Sequence, residues 1–229
     1  MTGHVLIHRF HPQKDAVPYT QSYTFRYEEG MSVLNVLNQI HEEQDPTLGY
    51  SYCCKAVKCG LCGVIINGKP CLTCEQPALP EMTLEPLHGF PVLKDLIVDR
   101  SEYEARRPDL RLYLERNADP AYQPEPIDML RFDWFKRVSR CIECYCCVSV
   151  CPVYQKNPQE FAGPCAFTLE ARQVFDPRDN LNRKILLKDM GINQCIGCKK
   201  CSSVCPMDAG PMEAILKMRS VVCNNEDNA

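Results

Sequence analysis

The chain opens with alternating hydrophobic and polar positions. The alternation covers His4–Phe10 and Thr20–Tyr27, and the intervening HPQKDAVP has the prolines and polar residues of a hairpin loop. Ser32 then occupies an N-cap position, and apolar residues recur at helical spacing as far as Gln44. This pattern predicts two paired strands followed by a helix.

A second hairpin is predicted inside the cysteine-rich segment Cys53–Cys74. There Asn67 and Gly68 separate two short apolar runs, which is typical of a two-residue turn, and TLEP from Thr83 predicts one more short strand. The segment GVIINGKP also matches the phosphate-binding pattern G-x4-G-K, but Pro70 stands where a Ser or Thr would hold magnesium. We therefore interpret it as a hairpin and expect no nucleotide site.

The pattern changes after Val92. The stretch from there to Asp128 is rich in Arg, Asp and Pro, and we interpret it as a helical connector followed by an extended linker. One helical face follows and carries four apolar residues, Leu130, Trp134, Phe135 and Val138. Three further helices are predicted soon after a proline or a capping residue, over Ala166–Phe175, Leu181–Met190 and Met212–Val222. The second half of the chain is therefore predicted to be all-α.

Composition narrows the range of functions. The 229 residues are 45% hydrophobic and 24% charged, with a formal net charge of −3, which excludes a disordered chain and argues against a nucleic-acid partner. No stretch approaches the ~20 apolar residues of a membrane span, and no export signal is visible. The 17 cysteines are an odd number and are expected to be reduced, and those that occur in clusters are expected to be metal ligands. A secreted disulfide scaffold is the alternative.

Two of the cysteine groups form an internal repeat. CIECYCCVSVCP at residues 141–152 and CIGCKKCSSVCP at residues 195–206 share C-I-x-C-x-x-C-x-x-V-C-P, with an offset of 54 residues. The run C-x2-C-x2-C-x3-C-P is the ligand spacing of two-cluster ferredoxins, in which the Cys before Pro binds the other [4Fe–4S] cluster. The predicted ligands are Cys141, Cys144, Cys147 and Cys205 for one cluster, and Cys195, Cys198, Cys201 and Cys151 for the second. Zinc binding is the competing interpretation.

A different spacing marks the N-terminal half. The C-x4-C-x2-C run with a fourth distant cysteine is that of a plant-type [2Fe–2S] cluster, and its predicted ligands are Cys54, Cys59, Cys62 and Cys74. Gly60 and Gly63 flank these ligands, where the backbone must approach the cluster closely. Cys53 is an alternative ligand by a slip of one residue. The five cysteines left over are interpreted as small apolar packing residues, namely Cys53, Cys71, Cys146, Cys165 and Cys223.

The two kinds of cysteine set complete the fold prediction. We expect an α+β chain with an N-terminal β-grasp domain of the plant-type [2Fe–2S] ferredoxin kind over residues 1–105, a connector over 106–128, and an all-α two-cluster ferredoxin domain over 129–229. The expected cofactors are one [2Fe–2S] cluster and two [4Fe–4S] clusters. No G-x-G-x-x-G occurs in the sequence, so the chain supplies no dinucleotide-binding fingerprint of its own.

Longer stretches extend the pattern beyond the cysteines. They are CGLCGVIINGKPCLTC, HGFPVLKDLIVD at His88–Asp99, CIECYCCVSVCPVY, and GPCAFTLEARQVFDPRDN at Gly163–Asn180. In these stretches, and in the order of its cluster motifs, the chain resembles the iron–sulfur subunits of succinate dehydrogenase and fumarate reductase along nearly its whole length. The resemblance implies a subunit that relays single electrons between an FAD-containing flavoprotein and a membrane anchor or other redox subunit. It implies no catalytic site in this chain.

The sequence departs from the common family pattern in two places. Cys198 stands where many members have a non-ligating residue beside a [3Fe–4S] cluster, so a second [4Fe–4S] cluster is expected instead. Tyr154-Gln155-Lys156 and Ile196 stand where many quinone-reactive members have a tryptophan and a histidine. Relatives with the extra cysteine include thiol-driven fumarate reductases and some archaeal and bacterial succinate dehydrogenases. Quinone, a thiol or a soluble carrier therefore all stay open as the far partner.

The resemblance also implies a location in the cytoplasm, or on the cytoplasmic face of the membrane through partner subunits. Two other functions stay open at this point. One is an iron–sulfur electron carrier for another flavoprotein reductase, of the thiol–disulfide or acyl type, with soluble donors. The other is a zinc-stabilised interaction module without redox activity.

Overall fold

The computed structural model describes residues 1–116 and 128–223. The chain divides into two compact units, Met1–Ser101 with Ile142–Ser149, and Glu102–Cys141 with Val150–Ala229. The predicted α+β class is confirmed, because the first unit is built on a β-sheet and the second is helical. The domain boundaries at residues 105 and 128 stay predictions. The segment Ile142–Ser149, which the sequence analysis assigned to the helical half, groups with the sheet.

The first unit contains a five-stranded sheet and one long helix. In chain order these elements are β1 (Thr2–Arg9), β2 (Tyr19–Arg26), α1 (Val33–Glu43), β3 (Gly63–Ile66), β4 (Lys69–Leu72) and β5 (Glu81–Glu85). The strand order is β2-β1-β5-β3-β4. β1 runs parallel to β5, and the other neighbouring strands pair antiparallel. The two N-terminal strands, the helix and the strand at Thr83 are therefore confirmed.

The alternation that predicted the strands also supplies the core. On β1, Val5 and Ile7 are fully buried, while the residues on either side of them point away from the core. They pack in one cluster with Ile40 on the apolar face of α1. Ser32 caps this helix through a capping box with Asn35, as its position predicted.

The turn between β3 and β4 is formed by Asn67 and Gly68. Both have left-handed backbone, with φ of 50° and 77°. Two successive residues with positive φ are the signature of a type I′ hairpin turn, for which Asn-Gly is a preferred pair. The predicted hairpin is confirmed, and the phosphate-loop pattern lies on two paired strands instead of a strand and a helix.

The prediction of a helical connector from Val92 onward was wrong at its start. A small hairpin comes before the first connector helix, and these elements are β6 (Val92–Lys94), β7 (Ile97–Val98) and α2 (Ser101–Glu104). Asp95 in the turn has φ 49°, and its buried carboxylate accepts hydrogen bonds from Arg9 Nε at 2.9 Å and the Gly49 N–H at 2.7 Å. These partners are distant in sequence, so the local pattern contains no sign of the hairpin.

The remaining elements are helical. They are short 3-10 helices at Arg107–Leu110 and Ile192–Gln194, together with α3 (Met129–Val138), α4 (Cys146–Ser149), α5 (Pro152–Lys156), α6 (Gly163–Val174), α7 (Arg183–Asp189), α8 (Lys200–Ser203) and α9 (Pro211–Cys223). All but α4 lie within the second unit. The three helices predicted for the C-terminal part are confirmed as α6, α7 and α9.

Helix α6 forms the centre of the second unit and packs on α9 and α3. Phe167 on α6 and Met218 on α9 are fully buried. The predicted apolar face of α3 is only partly covered, since Val138 is buried but Leu130 is 78% exposed. The predicted extended linker falls largely on residues 117–127, which lie outside the described residues. Among the described helices, none has the length and apolar character needed to cross a bilayer.

Candidate iron–sulfur centres

The loop between α1 and β3 has an unusual backbone around Cys54. Lys55 and Val57 both have φ of 55°. A β-branched residue such as Val57 is a genuine outlier in this region, and such strain costs on the order of 1–3 kcal/mol and collects at functional sites. The loop is therefore held in a conformation that local energetics disfavour.

This backbone turns three amide groups towards one sulfur. The N–H groups of Ala56, Lys58 and Cys59 donate to Cys54 Sγ, with N···S distances of 3.4, 3.3 and 3.3 Å. Hydrogen bonds to a thiolate favour its charged form. The backbone donors, that of Ala56 first, lower the pKa of Cys54 to about 7. A thiolate is the form that binds iron, so the loop is prepared for a metal-bound sulfur.

A second pair of sulfurs lies at the other side of this predicted set. Cys62 Sγ and Cys74 Sγ are 3.4 Å apart, one just before β3 and the other just after β4. Burial raises the pKa of the Cys74 thiol to about 11, and Cys62 beside it adds to the shift. Two thiolates on one tetrahedral metal with bonds of about 2.3 Å would lie ~3.8 Å apart. The β3–β4 hairpin thus sets a spacing that suits two ligands of a single iron.

The first copy of the repeat packs against this loop inside the first unit. A Cβ on Gly60 would lie 2.4 Å from the Ile142 carbonyl oxygen and 3.0 Å from the Cys144 nitrogen. A Cβ on Gly63 would lie 3.1 Å from the Cys144 carbonyl oxygen. Gly60 also has φ +69°, so both its conformation and its contacts require glycine. The two glycines that the sequence analysis singled out therefore let two cysteine loops approach each other.

Arg100 holds the same junction from the side. Its guanidinium donates to the carbonyl oxygens of Gly60 and Leu61, at 3.4 and 3.3 Å. It also lies over the ring of Tyr145, 5.2 Å from the ring centroid. One side chain thus touches the plant-type loop and the first repeat, and the sequence analysis had no signal for it.

The two copies of the repeat have the same local structure. In the first copy Glu143 and Tyr145 have positive φ, and in the second the equivalent Gly197 and Lys199 do. Each loop leads into a four-residue helix, α4 or α8, that starts five residues after the first cysteine of its copy. Alternating right- and left-handed backbone points successive N–H groups into a concave nest, which suits an anionic cluster. The internal repeat seen in the sequence is therefore a repeat of backbone conformation.

Four predicted ligands of the second cubane converge within the second unit. Cys151, Cys195, Cys198 and Cys201 line one cavity, together with apolar side chains such as Phe161 and Ile215. Burial raises the pKa of Cys151, and the neighbouring Cys198 and Cys195 add to the shift. The cysteine before Pro152 thus lies beside the three cysteines of the other copy, and its role as their fourth ligand stays a prediction.

The predicted ligands of the first cubane belong to both units. Cys144 and Cys147 are part of the first unit and are 8% exposed, whereas Cys141 and Cys205 are part of the second. Cys205 Sγ accepts a hydrogen bond from the Ala209 N–H at 3.3 Å. The exchange of the fourth ligand at this site stays a prediction from the spacing of two-cluster ferredoxins.

The cysteines outside the three sets differ in burial. Cys146 and Cys165 are 0% and 1% exposed, and Cys71 packs against the first core, as expected for packing residues. Cys53 is exposed and does not fit that interpretation. The side chain of Cys223 lies outside the described part of the structure.

Within residues 1–116 and 128–223, no three His, Cys, Asp or Glu side chains converge on a site the size of one metal ion. A cluster makes a different demand, because its four thiolates are shared among two or four irons and do not all converge on one. The backbone nests described above fit that second demand.

Two family models match the chain in the expected order. A 2Fe-2S iron-sulfur cluster binding domain matches residues 4–105, and a 4Fe-4S dicluster domain matches residues 137–209. The two domain types expected from the cysteine spacings are thereby confirmed at the level of cluster class.

Relatives and a solved structure agree with these models. The chain is 34% identical to the succinate dehydrogenase iron-sulfur subunit of Coxiella burnetii, over 93% of this chain and 94% of the relative. It is 36% identical to a fumarate reductase (CoM/CoB) subunit of Methanothermobacter marburgensis, over 96% of this chain but only 44% of that longer relative. The structure described as the Mycobacterium smegmatis Sdh1 complex in the apo form contains a chain that matches with a TM-score of 0.90 and 25% identity, over 99% of this chain and 98% of the other.

Identity of this extent along nearly the whole length of an iron–sulfur subunit, joined to the same fold and the same order of cluster domains, is decisive. The chain belongs to the family of iron–sulfur subunits of succinate dehydrogenase and fumarate reductase, and its role is that of the electron-transfer subunit of a flavoprotein oxidoreductase complex.

Proposed function

We propose that the chain holds one [2Fe–2S] cluster and two [4Fe–4S] clusters, and that it relays single electrons between an FAD-containing flavoprotein subunit and a second redox partner. The proposed ligands are Cys54, Cys59, Cys62 and Cys74 for the first cluster, Cys141, Cys144, Cys147 and Cys205 for the second, and Cys151, Cys195, Cys198 and Cys201 for the third. When bound, these clusters supply sites that accept and release single electrons.

The observation that carries this proposal is the packing of Gly60 on Cys144. It brings a predicted [2Fe–2S] loop and a predicted cubane loop into backbone contact within one compact unit. Electron transfer falls steeply with distance, so an electron-transfer subunit needs its centres close together. A chain that merely stored metal or stabilised itself with zinc would have no such requirement.

The protein's own residues prepare these sites in three ways. The backbone around Cys54 directs N–H groups towards its sulfur, and the positive-φ residues in both repeats give the backbone form that suits an anionic cluster. Burial of Cys144 and Cys147 keeps water from the first cubane loop. Arg100 fixes the junction of two cysteine loops. Hydrogen bonds to sulfur, charge and solvent exposure are the means by which a protein adjusts cluster potentials.

Cys198 supports a four-iron cluster at the second cubane site. It lines the same cavity as Cys151, Cys195 and Cys201, so four thiolates are available there. A three-iron core needs only three. This ligand count favours a low-potential or thiol-linked partner over the common quinone-linked arrangement.

The far partner has two candidates. A quinone-linked membrane subunit is the usual one in the family, and it would hold the chain at the cytoplasmic face of the membrane through partner contacts. A carrier of another type, with the chain serving a thiol–disulfide or acyl-type flavoprotein reductase, is the second candidate. It is favoured by the 36% identity to a subunit whose name specifies CoM/CoB.

The test is anaerobic purification of the complex from its native host, followed by iron analysis and electron paramagnetic resonance (EPR). The proposal expects roughly ten irons per chain, counted as 2+4+4, and no stoichiometric [3Fe–4S] signal when the protein is oxidised. Replacing Cys198 by Val is expected to produce that signal at one site only. The co-purifying subunits identify the flavoprotein and the far partner.

Cys53→Val is the matched control, because Cys53 and Cys198 are both exposed. It should leave all three EPR signals unchanged. A stoichiometric [3Fe–4S] signal in undamaged wild-type protein would exclude Cys198 as a ligand. Loss of the [2Fe–2S] signal in Cys53→Val would show that Cys53, and not Cys54, is the first ligand of the [2Fe–2S] cluster.

A further inference from the structure

Each copy of the cysteine repeat is contacted by one arginine from a helix. Arg172 on α6 donates through a terminal nitrogen to the Cys141 carbonyl oxygen at 2.9 Å. Arg219 on α9 donates in the same way to the Cys195 carbonyl oxygen at 2.8 Å. Cys141 and Cys195 are equivalent positions of the repeat. The two contacts are therefore the same interaction made twice, by different helices.

The two arginines do not follow from the repeat itself. Arg172 comes 31 residues after Cys141, whereas Arg219 comes 24 residues after Cys195. The stretches that contain them share no cysteine pattern. The same contact is thus made from two unrelated sequence positions. This indicates that each cysteine loop requires a cationic donor at that carbonyl oxygen.

Both guanidinium groups lack a counter-ion in the part of the chain that the structure describes. The hydrogen bonds to the two cysteine carbonyls are the polar contacts that they make there. Arg172 Nε is also buried and has no hydrogen-bond acceptor among the described residues. Arginine stays charged at any pH that proteins tolerate, so each guanidinium adds a full positive charge beside a cysteine loop.

We propose that Arg172 and Arg219 are positioning residues that raise the reduction potential of the cluster held by the loop they contact, each acting on its own cubane. The proposal rests on the ligand sets of the proposed function. A cluster with thiolate ligands is anionic and becomes more so when it takes up an electron, and a nearby fixed cation favours that reduced state. Partial burial limits screening of the charge by water.

The test measures the potential of each cubane separately, in the intact complex, by redox titration followed by EPR. The Cys198→Val variant assigns the signal of the second site. Arg219→Gln should shift the reduction equilibrium of the Cys195 cluster about tenfold towards the oxidised form, which for one electron lowers its potential by about 59 mV. The potential of the Cys141 cluster should not change. Arg172→Gln should do the reverse.

Variants with lysine separate charge from structure. Gln can still donate to the carbonyl oxygen but is neutral, while Lys keeps the charge. Arg219→Lys and Arg172→Lys should therefore keep near-wild-type potentials. Equal shifts in the Lys and Gln variants, or equal shifts of both clusters in a single variant, would overturn the proposal. Arg131→Gln is the matched control, since that arginine is 61% exposed on α3 and should move neither potential.

A second measurement covers the case in which a Gln variant does not take up its cluster. In wild-type complex grown with isotopically labelled arginine, pulsed EPR of each reduced cubane should detect magnetic coupling to an arginine nitrogen. Absence of that coupling at both sites would overturn the proposal. Iron analysis of the wild type distinguishes failure of the proposed ligand sets from failure of the proposed arginine roles. Too little iron in the wild type contradicts the ligand sets. Full iron in the wild type, with unchanged potentials in the Gln variants, contradicts only the roles of the arginines.

Discussion

In the first copy of the repeat, the residues from Cys144 to Ser149 are buried, whereas in the second copy Ile196, Cys198 and Lys199 are exposed. The backbone is the same in both, down to the two left-handed positions and the four-residue helix. Only the surroundings differ. The first copy is covered by the plant-type loop through Gly60, while the second has an open side.

This difference indicates that the cysteine motif determines which kind of cluster can bind, whereas the packing around the motif determines which step of electron transfer the cluster can serve. A buried centre suits an internal step of electron transfer. A centre with an exposed ligand suits exchange with an outside partner, and solvent exposure is among the factors that set cluster potentials. The four predictions below test this contrast, starting with the change that should matter most.

Gly60→Ala should break the packing of the first copy. The added Cβ would lie 2.4 Å from a backbone oxygen, in a backbone conformation with φ +69°. We expect a loss of more than about 3 kcal/mol in unfolding free energy, together with loss of the [2Fe–2S] and first cubane signals, since strain and clash add. The measurement is anaerobic denaturation with EPR of the remaining protein.

Gly68→Ala is the control for backbone strain alone. Gly68 has φ +77°, but a Cβ there meets nothing within 4 Å. It should cost only about 1–2 kcal/mol and leave every cluster in place. Equal effects of the two substitutions would show that the approach of the cysteine loops does not depend on Gly60.

The elements that could be predicted from the sequence are those whose cause is local. Ser32, the Asn67-Gly68 turn and the alternation of β1 act over a few residues, and cysteine spacing reports a ligand loop directly. The hairpin at Asp95 was missed because its carboxylate is held by Arg9 and Gly49, which lie far away in sequence. Long-range partners of this kind leave no periodic pattern.

The candidate site shows the same division. All twelve proposed ligands come from spacing, but Arg100, Arg172 and Arg219 have no motif and are recognised only through contacts with cysteine loops. The assignment of Ile142–Ser149 to the sheet unit also depends on a tertiary contact, that of Gly60 with Cys144.

The two units should also respond in opposite ways to pH. In the second unit, burial raises the pKa of Glu170 to about 7, only partly offset by its hydrogen bond with Arg183. Its protonation therefore stabilises the fold at low pH, and this contribution is lost as pH rises through about 7. In the first unit burial acts on Asp45 too, but donors including Arg9 outweigh it and lower the pKa. That contribution is present above the usual Asp range and is lost only in acid.

Glu170→Gln, which mimics the protonated side chain, should therefore stabilise the chain above about pH 8, on the order of 2 kcal/mol, and should have little effect below about pH 5. The measurement is anaerobic denaturation of wild type and variant at several pH values. Asp45→Asn is the comparison, and it should destabilise the chain at neutral pH. A Glu170→Gln variant that is less stable than wild type at every pH would contradict the raised pKa of Glu170.

Iron should leave the second cubane site first. Cys198 is exposed, whereas its equivalent Cys144 is 8% exposed. A ferrous chelator added to the anaerobic complex should therefore remove the EPR signal assigned to the second site several-fold faster than the signal of the first. Equal rates in wild type would mean that exposure of the ligand loop does not control access to the iron.

The smallest effect concerns docking of the flavoprotein. Beside Cys54, the exposed Tyr52 carries Lys55 over its ring at 5.2 Å, and Leu61 is 43% exposed. The loop therefore presents an aromatic and an apolar side chain, with charged residues at the rim. If the flavoprotein docks there, Lys58→Glu should slow its association and electron delivery several-fold at low salt and less at high salt, because charges at an interface rim act mainly on the association rate. Lys217→Glu in the helical unit should do less. Stopped-flow measurement of flavin oxidation at two ionic strengths gives both rates. A larger effect of Lys217→Glu would move the flavoprotein to the helical unit and reverse the direction in which the two copies of the repeat are used.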